Sequence, residues 1–211
     1  MSGEPNKVAL LDDDIALTSE QLLQARTAIS TGVDIAAFHV LDYPDVSTVD
    51  HIERIITRKP SEVSIGGNCI FLDANVRQPF FPSIYNDDWF FLLSNIDTAA
   101  IRSIGTAKQR RYVPWTQHNR IEFEQLGDII MEGAKTNLKV DQTPFQGDHI
   151  FWRDVLDTYQ MRLDRLVALC ANELFAQALR RAVAVAKRIE ASNIVDFMES
   201  YELSNDRIDA W

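Results

Sequence analysis

Asp12-Asp13-Asp14 closes the short apolar run Val8-Ala9-Leu10-Leu11, and a second acidic cluster stands in Tyr85-Asn86-Asp87-Asp88-Trp89. Three adjacent carboxylates repel one another, which is tolerable in water but costly at a strand end unless a cation compensates. Mg²⁺ and Mn²⁺ are hard ions that take carboxylate oxygens and share their other positions with water and phosphate. An i, i+2 spacing sends Asp12 and Asp14 to one side of an extended segment, so the two could clamp one ion. Alternatively Asp12 could meet a ribose hydroxyl while Asp14 takes the metal. Open α/β sheets place ligands at the carboxyl ends of buried strands, which is where this turn is expected. A solvated turn whose acids cap a helix is the plain alternative. The expectation is a metal-diphosphate site at Asp12, Asp13 and Asp14, with Mg²⁺ or Mn²⁺ as cofactor.

Asp87 and Asp88 are the candidates for acid–base work. A general base needs a carboxylate within reach of the hydroxyl it deprotonates, with its proton affinity tuned by partial burial. Tyr85, Trp89, Phe90 and Phe91 would supply that setting, and an aromatic ring such as Trp89 can stack on a sugar face. The same two acids could simply favour a helix start. Gly66-Gly67-Asn68 reads as a bend within a strand, or as a place where a ligand approaches the backbone beside the Asn68 amide. Lys108-Gln109-Arg110-Arg111-Tyr112 is the concentrated basic patch: a solvated strand edge, or a counter-charge for a leaving diphosphate. His118 lies nearby and is a further candidate metal ligand beside Asp12 and Asp14.

The chain has 211 residues, 46% hydrophobic and 25% charged, the composition of an ordinary globular protein. Its formal charge of -10 argues against nucleic acid or an anionic membrane surface as the main partner. No run reaches the roughly 18 apolar residues that span a bilayer, and the amino terminus lacks a signal-peptide pattern. Cys69 and Cys170 stand in apolar surroundings far apart, which reads as two buried thiols and a cytoplasmic location.

These residues must be positioned by an α/β chain. Val8 to Leu11 reads as a buried strand. Thr18 or Ser19 can cap a helix to about Ser30, with Leu22, Leu23, Ala25 and Ile29 as its apolar face, ended by Gly32. Val33 to Leu41 reads as a strand, and Ser47 or Thr48 caps a helix carrying Val49, Ile52, Ile55 and Ile56. Val63 to Asp73 is a strand interrupted by Gly66-Gly67, a helix starts near Asn86 with Trp89, Phe90, Leu92 and Leu93 buried, and Ile101 to Tyr112 is a strand or hairpin. From Gln117 onward the pattern is helical, and two or three helices with a polar tail ending in Asp209-Ala210-Trp211 are expected. The domain division is 1–115 and 116–211.

In their order these pieces resemble the second half of the catalytic domain of a GT-A type, family-2-like glycosyltransferase. The resemblance rests on residues 8–15, 66–71 and 82–91, with Glu122 to Gly133 similar to a helix that follows that domain, and it covers roughly residues 7–138. It implies a partial GT-A, Rossmann-like mixed sheet followed by an α-helical carboxy-terminal region. Asp12 and Asp14 would match the DxD acids that hold metal and nucleotide-sugar diphosphate, and Asp88 the base that deprotonates the acceptor hydroxyl, with Asp87 where the family often has Glu. Gly66, Gly67 and Asn68 would border the acceptor pocket. The implied reaction is sugar transfer with inversion, using a nucleotide-sugar donor and a hydroxyl acceptor. Only eleven residues precede Asp12, whereas that family places βα units there, so a fragment, a missing amino-terminal half or a homo-oligomer is expected. Other readings are a non-catalytic GT-A-like binding or assembly module and a haloacid dehalogenase-type phosphatase with Asp12 as nucleophile. In the phosphatase pattern Ala16 stands where Thr or Val is usual.

Overall fold

The computed structural model describes residues 7–41, 47–58, 67–75, 81–110 and 113–209. Five strands form one mixed sheet: β1 (Lys7–Leu11), β2 (Ile15–Ala16), β3 (Ile35–Leu41), β4 (Cys69–Asp73) and β5 (Ile101–Gln109). Their order is β1-β4-β3-β5-β2. β3 and β5 run parallel, whereas β1 and β3 each pair antiparallel with β4, and β2 pairs antiparallel with β5.

The strands at the middle of the sheet take the apolar burial. Ile35, Ala36, Ala37 and Phe38 of β3 and Cys69, Ile70 and Leu72 of β4 are fully buried. β1 is the end strand, with Val8 38% and Leu11 45% exposed. The expectation of a buried first strand therefore fails: an end strand has a partner on one edge only, and here its apolar side chains are only partly covered.

α1 (Ser19–Ser30) is opened by a reciprocal cap in which Thr18 Oγ1 accepts from Gln21 N and the Gln21 side chain accepts from Thr18 N. It packs through Ala25 and Ile29, while Leu22 and Leu23, expected on its apolar face, are exposed. Its Gln21 and Gln24 side chains donate to the Thr106 and Ile104 carbonyls of β5. α2 (Thr48–Thr57) is capped by Ser47, whose side chain accepts from Asp50 N. Val49 and Ile52 are buried in it and Ile55 is exposed. α3 (Asp87–Ser94) follows Asn86, which has φ +69, and buries Phe90, Phe91, Leu92 and Leu93.

Four helices follow: α4 (His118–Leu138), α5 (His149–Leu169), α6 (Glu173–Ala186) and α7 (Ala191–Asp209). The expected two or three become four because Asp148 and Asn172 each cap a new helix, turning their side-chain oxygens onto free backbone N–H groups. Asp209 belongs to α7, not to a polar tail, and Ala210-Trp211 lie outside the described residues.

The chain divides into two compact units. One contains the five strands, α1, and α3 from Asp88 onward; the other contains α2 and α4 to α7. In the sheet unit, Ile35, Ile70, Leu72, Phe91 and Leu92 form one apolar cluster, and Ala25, Phe38, Cys69 and Ala107 another. In the helical unit Trp152, Tyr159, Ile121, Ile129 and Ile130 are fully buried.

Gly127 of α4 permits a close approach, because a Cβ there would collide with the Tyr85 carbonyl, a backbone group that cannot swing aside. Replacing an interior helix glycine by alanine ordinarily stabilises by about 1 kcal/mol. Gly127→Ala is expected to reverse that sign and destabilise by about 1–3 kcal/mol, as overpacking does. Urea denaturation measures it, and a stabilised variant contradicts the packing described.

Candidate functional site

The sheet ladders carry the acidic turn into its place. β1 pairs with β4 in a register that sets Leu11 opposite Cys69, and the pairing extends one step further, with Asp12 N donating to Asn68 O at 3.1 Å. β2 pairs with β5 with Ile15 opposite Gln109, and Arg110 N donates to Asp14 O at 3.0 Å. The turn Asp12–Asp14 is thus held at both ends by antiparallel ladders.

Side chains close the gap between the two ladders. Gln109 Nε2 lies 3.2 Å from both carboxylate oxygens of Asp14, and Asn68 Nδ2 donates to Gln109 Oε1 at 3.3 Å. Asn68 is 3% exposed, and its Oδ1 has no hydrogen-bond partner among the described residues. The neighbouring Gly67 is also buried, and a Cβ on it would collide with the Asp88 carboxylate. The missing side chain at 67 is what lets that carboxylate lie against the backbone. Asp88 is half-buried, and its Oδ1 accepts from Trp89 N at 2.9 Å. Asp12, Asp14, Asn68, Gly67 and Asp88, separated by up to seventy-six residues, are therefore linked contact by contact within the sheet unit.

The other candidates lie as follows. Asp12, Asp13 and Asp87 are exposed and Asp14 is half-buried. Trp89 is partly buried and packs against the cluster of Ile35, Ile70, Leu72, Phe91 and Leu92. Gly66, Arg111 and Tyr112 lie outside the described residues, as does the side chain of His118, whose backbone opens α4 in the helical unit. Cys69 is buried and free, its thiol pushed up to about 11 by burial, and Cys170 is free and half-buried. Among the described residues no three His, Cys, Asp or Glu side chains converge to hold a metal ion. An ion at Asp14 would need other oxygens, and the Gln109 amide beside it carries one of the right hardness.

A second polar cluster, in the helical unit, escaped the sequence reading. Arg162 of α5 pairs with Asp50 and Glu53 of α2 and with Glu132 of α4, the last at 3.4 Å. Glu124 is fully buried; its Oε2 accepts from Thr48 N at 2.9 Å and its Oε1 pairs with Arg120 Nε at 2.6 Å. Burial nevertheless holds the Glu124 carboxyl above the ordinary range. Tyr159 Oη lies 3.2 Å from Asp128 Oδ2 and 3.1 Å from Gln125 Oε1. Burial, then the charges of Asp50 and Glu124, push Asp128 well above the usual carboxylate range. Arg120, Glu124, Asp128 and Glu132 recur every fourth residue on α4, and that stripe was the available signal. The cluster ties α2, α4 and α5 together, its partners supplied from within the fold.

Set beside protein-family models, curated proteins and solved structures, the chain matches none of them. The functional reading therefore stands on the site.

His51 of α2 is buried and its pKa is lowered from 6.5 to about 4, by burial first and then by the charges of Arg54 and Arg120, against the opposing pull of Asp50. A folded pKa below the unfolded one gives stability that is present above pH 6.5 and is lost as pH falls toward 4. Between pH 7.5 and pH 5 His51 costs the native state about 2 kcal/mol by that linkage. Denaturation across this range should show the His51→Gln variant losing less stability than the wild type on acidification. Parallel curves would mean that the imidazole keeps its ordinary pKa.

Proposed function

We propose that this chain carries the catalytic part of an inverting glycosyltransferase, which moves a sugar from a nucleotide-sugar donor to an acceptor hydroxyl with Mg²⁺ or Mn²⁺. On this reading the mixed sheet with its helices is part of a GT-A fold, followed by the helical region. One observation carries it: the acidic turn bonds to Asn68 through Asp12 N, and the carboxylate of Asp88 lies against the adjoining Gly67. Sugar transfer needs two kinds of carboxylate at one place. One kind holds a cation against the departing diphosphate, and the other takes a proton from the attacking hydroxyl.

Asp14, with Asp12 beside it, is the cation-holding side. Its carboxylate is half-buried, a partly desolvated setting in which a divalent ion gains more than in open water. A bound cation would act as Lewis acid on the diphosphate oxygens. Asp88 is the base. Its Oδ1 is engaged by Trp89 N, which fixes the carboxylate's direction, and its Oδ2 lies against the bare backbone at Gly67. The acceptor oxygen gives its proton to Asp88 as it bonds to the anomeric carbon, and the bond from that carbon to the diphosphate breaks on the opposite face. Inversion follows from that single displacement.

A non-catalytic binding or assembly module is the second reading, and the exposed apolar side chains of the end strand β1 favour it. Titration calorimetry with uridine and guanosine diphosphates, with and without Mn²⁺, separates the two. The enzyme reading expects binding that requires Mn²⁺ and weakens at least tenfold in Asp14→Ala. It also expects Asp88→Asn to retain that binding and to lose sugar transfer, followed as release of nucleoside diphosphate. Absence of metal-dependent binding in the wild-type chain favours the module.

A further inference from the structure

We propose that a cavity in the helical unit, between the 3₁₀ turn Pro114–Thr116 and α6, binds a small aromatic carboxylate whose anionic end is taken by Arg181. This site does not depend on the reading of the acidic turn. Leu174, Gln177, Ala178 and Arg181 stand at i, i+3, i+4 and i+7 on α6, so one face of the helix presents all four. With Trp115 and Ile121 they line a cavity of about 230 Å³.

Its walls suit a ring. Ile121 and Ala178 are buried whereas Leu174 is 59% exposed, so the lining runs from the core out to solvent. Trp115 meets Phe175 edge to face, with ring centroids 4.8 Å apart and planes at 69°. That contact holds the indole as a wall and opposes its collapse into the cavity. An apolar cavity of about 150 Å³ takes up benzene. The larger volume here, about 230 Å³, matches one ring with a short substituent.

Arg181 supplies the polar end. It is half-buried, and among the described residues it makes no hydrogen bond or ion pair. The acid that α6 itself carries, Glu173, is engaged by Arg180 at 2.6 Å and by Gln177 Nε2 at 3.3 Å. A guanidinium partly withdrawn from water without a counter-charge gains from an anion that reaches it. Its planar fork matches the two oxygens of a carboxylate. One such cation, in a chain of net charge -10, suits a monoanion better than a doubly charged phosphate.

The test uses the full chain with labelled indole N–H groups, followed by nuclear magnetic resonance. The chain has four tryptophans, and the Trp115 signal is the one missing from Trp115→Phe. Millimolar benzoate should move that signal saturably and bind at least tenfold more tightly than benzyl alcohol, the same ring without the charge. Inorganic phosphate should leave the signal in place. In Arg181→Gln, with a thermal melt confirming the fold, the preference for benzoate should shrink to within threefold. A Trp115 signal that ignores benzoate, or that phosphate moves as well, would overturn the proposal. So would a preference that survives Arg181→Gln, or the loss of both ligands from the folded variant, which would make Arg181 a shaper of the cavity only.

Discussion

Two antiparallel ladders converge on one acidic turn, and the candidate site depends on that convergence. The β1–β4 ladder ends in the Asp12–Asn68 backbone bond, and the β2–β5 ladder in the Asp14–Arg110 bond. Backbone hydrogen bonds cannot be exchanged for water without loss once their surroundings are packed, so three like charges are kept within one turn despite their repulsion. A fold that pins acids together stores electrostatic cost there, and sites of that kind are where ligands of opposite charge gain most. Gly67 extends the constraint. By carrying no side chain it admits the Asp88 carboxylate to the same neighbourhood, and position 68 bonds to both sides.

The helical unit handles charge in another way. Arg162 is a single half-buried guanidinium serving Asp50, Glu53 and Glu132, and although burial opposes its charge, those three acids keep it protonated. Asp128 and Glu124 lie too deep to ionise cheaply, and Tyr159, Asn86, Arg120 and Thr48 meet their oxygens. Removing one member of such a network strands the others in low dielectric, so it favours one arrangement of α2, α4 and α5 over its alternatives. Its polar atoms look inward to one another, whereas the acids of the sheet unit lie at a turn open to solvent at Asp12 and Asp13.

Local signals in the chain were legible where they act over a few residues. The helix starts at Thr18 or Ser19 and at Ser47 or Thr48, and the apolar run of β3, announce themselves, because their chemistry is complete within one segment. What depends on distant partners was not. Leu22 and Leu23 satisfy a helical period, yet α1 turns only Ala25 and Ile29 inward, and no periodicity reports how wide a neighbour the helix will meet. The end position of β1 is likewise a matter of strand order. Within the site, the acids and the glycine stood out by type. Gln109 did not, because its role arises from a register that sets it beside a residue ninety-five positions earlier. The stripe on α4 was visible as a four-residue repeat, but charged stripes usually face water, and this one meets partners far away in sequence, Thr48 at Glu124, Tyr159 at Asp128 and Arg162 at Glu132.

The central claim is that the acidic turn exists to hold a divalent cation next to Asp88. Anomalous diffraction from crystals grown with Mn²⁺ tests it by locating the ion directly. The account requires a peak bonded to the Asp14 carboxylate. A peak among Asp50, Glu53 and Glu132 instead, or none at any carboxylate at saturating Mn²⁺, would contradict it.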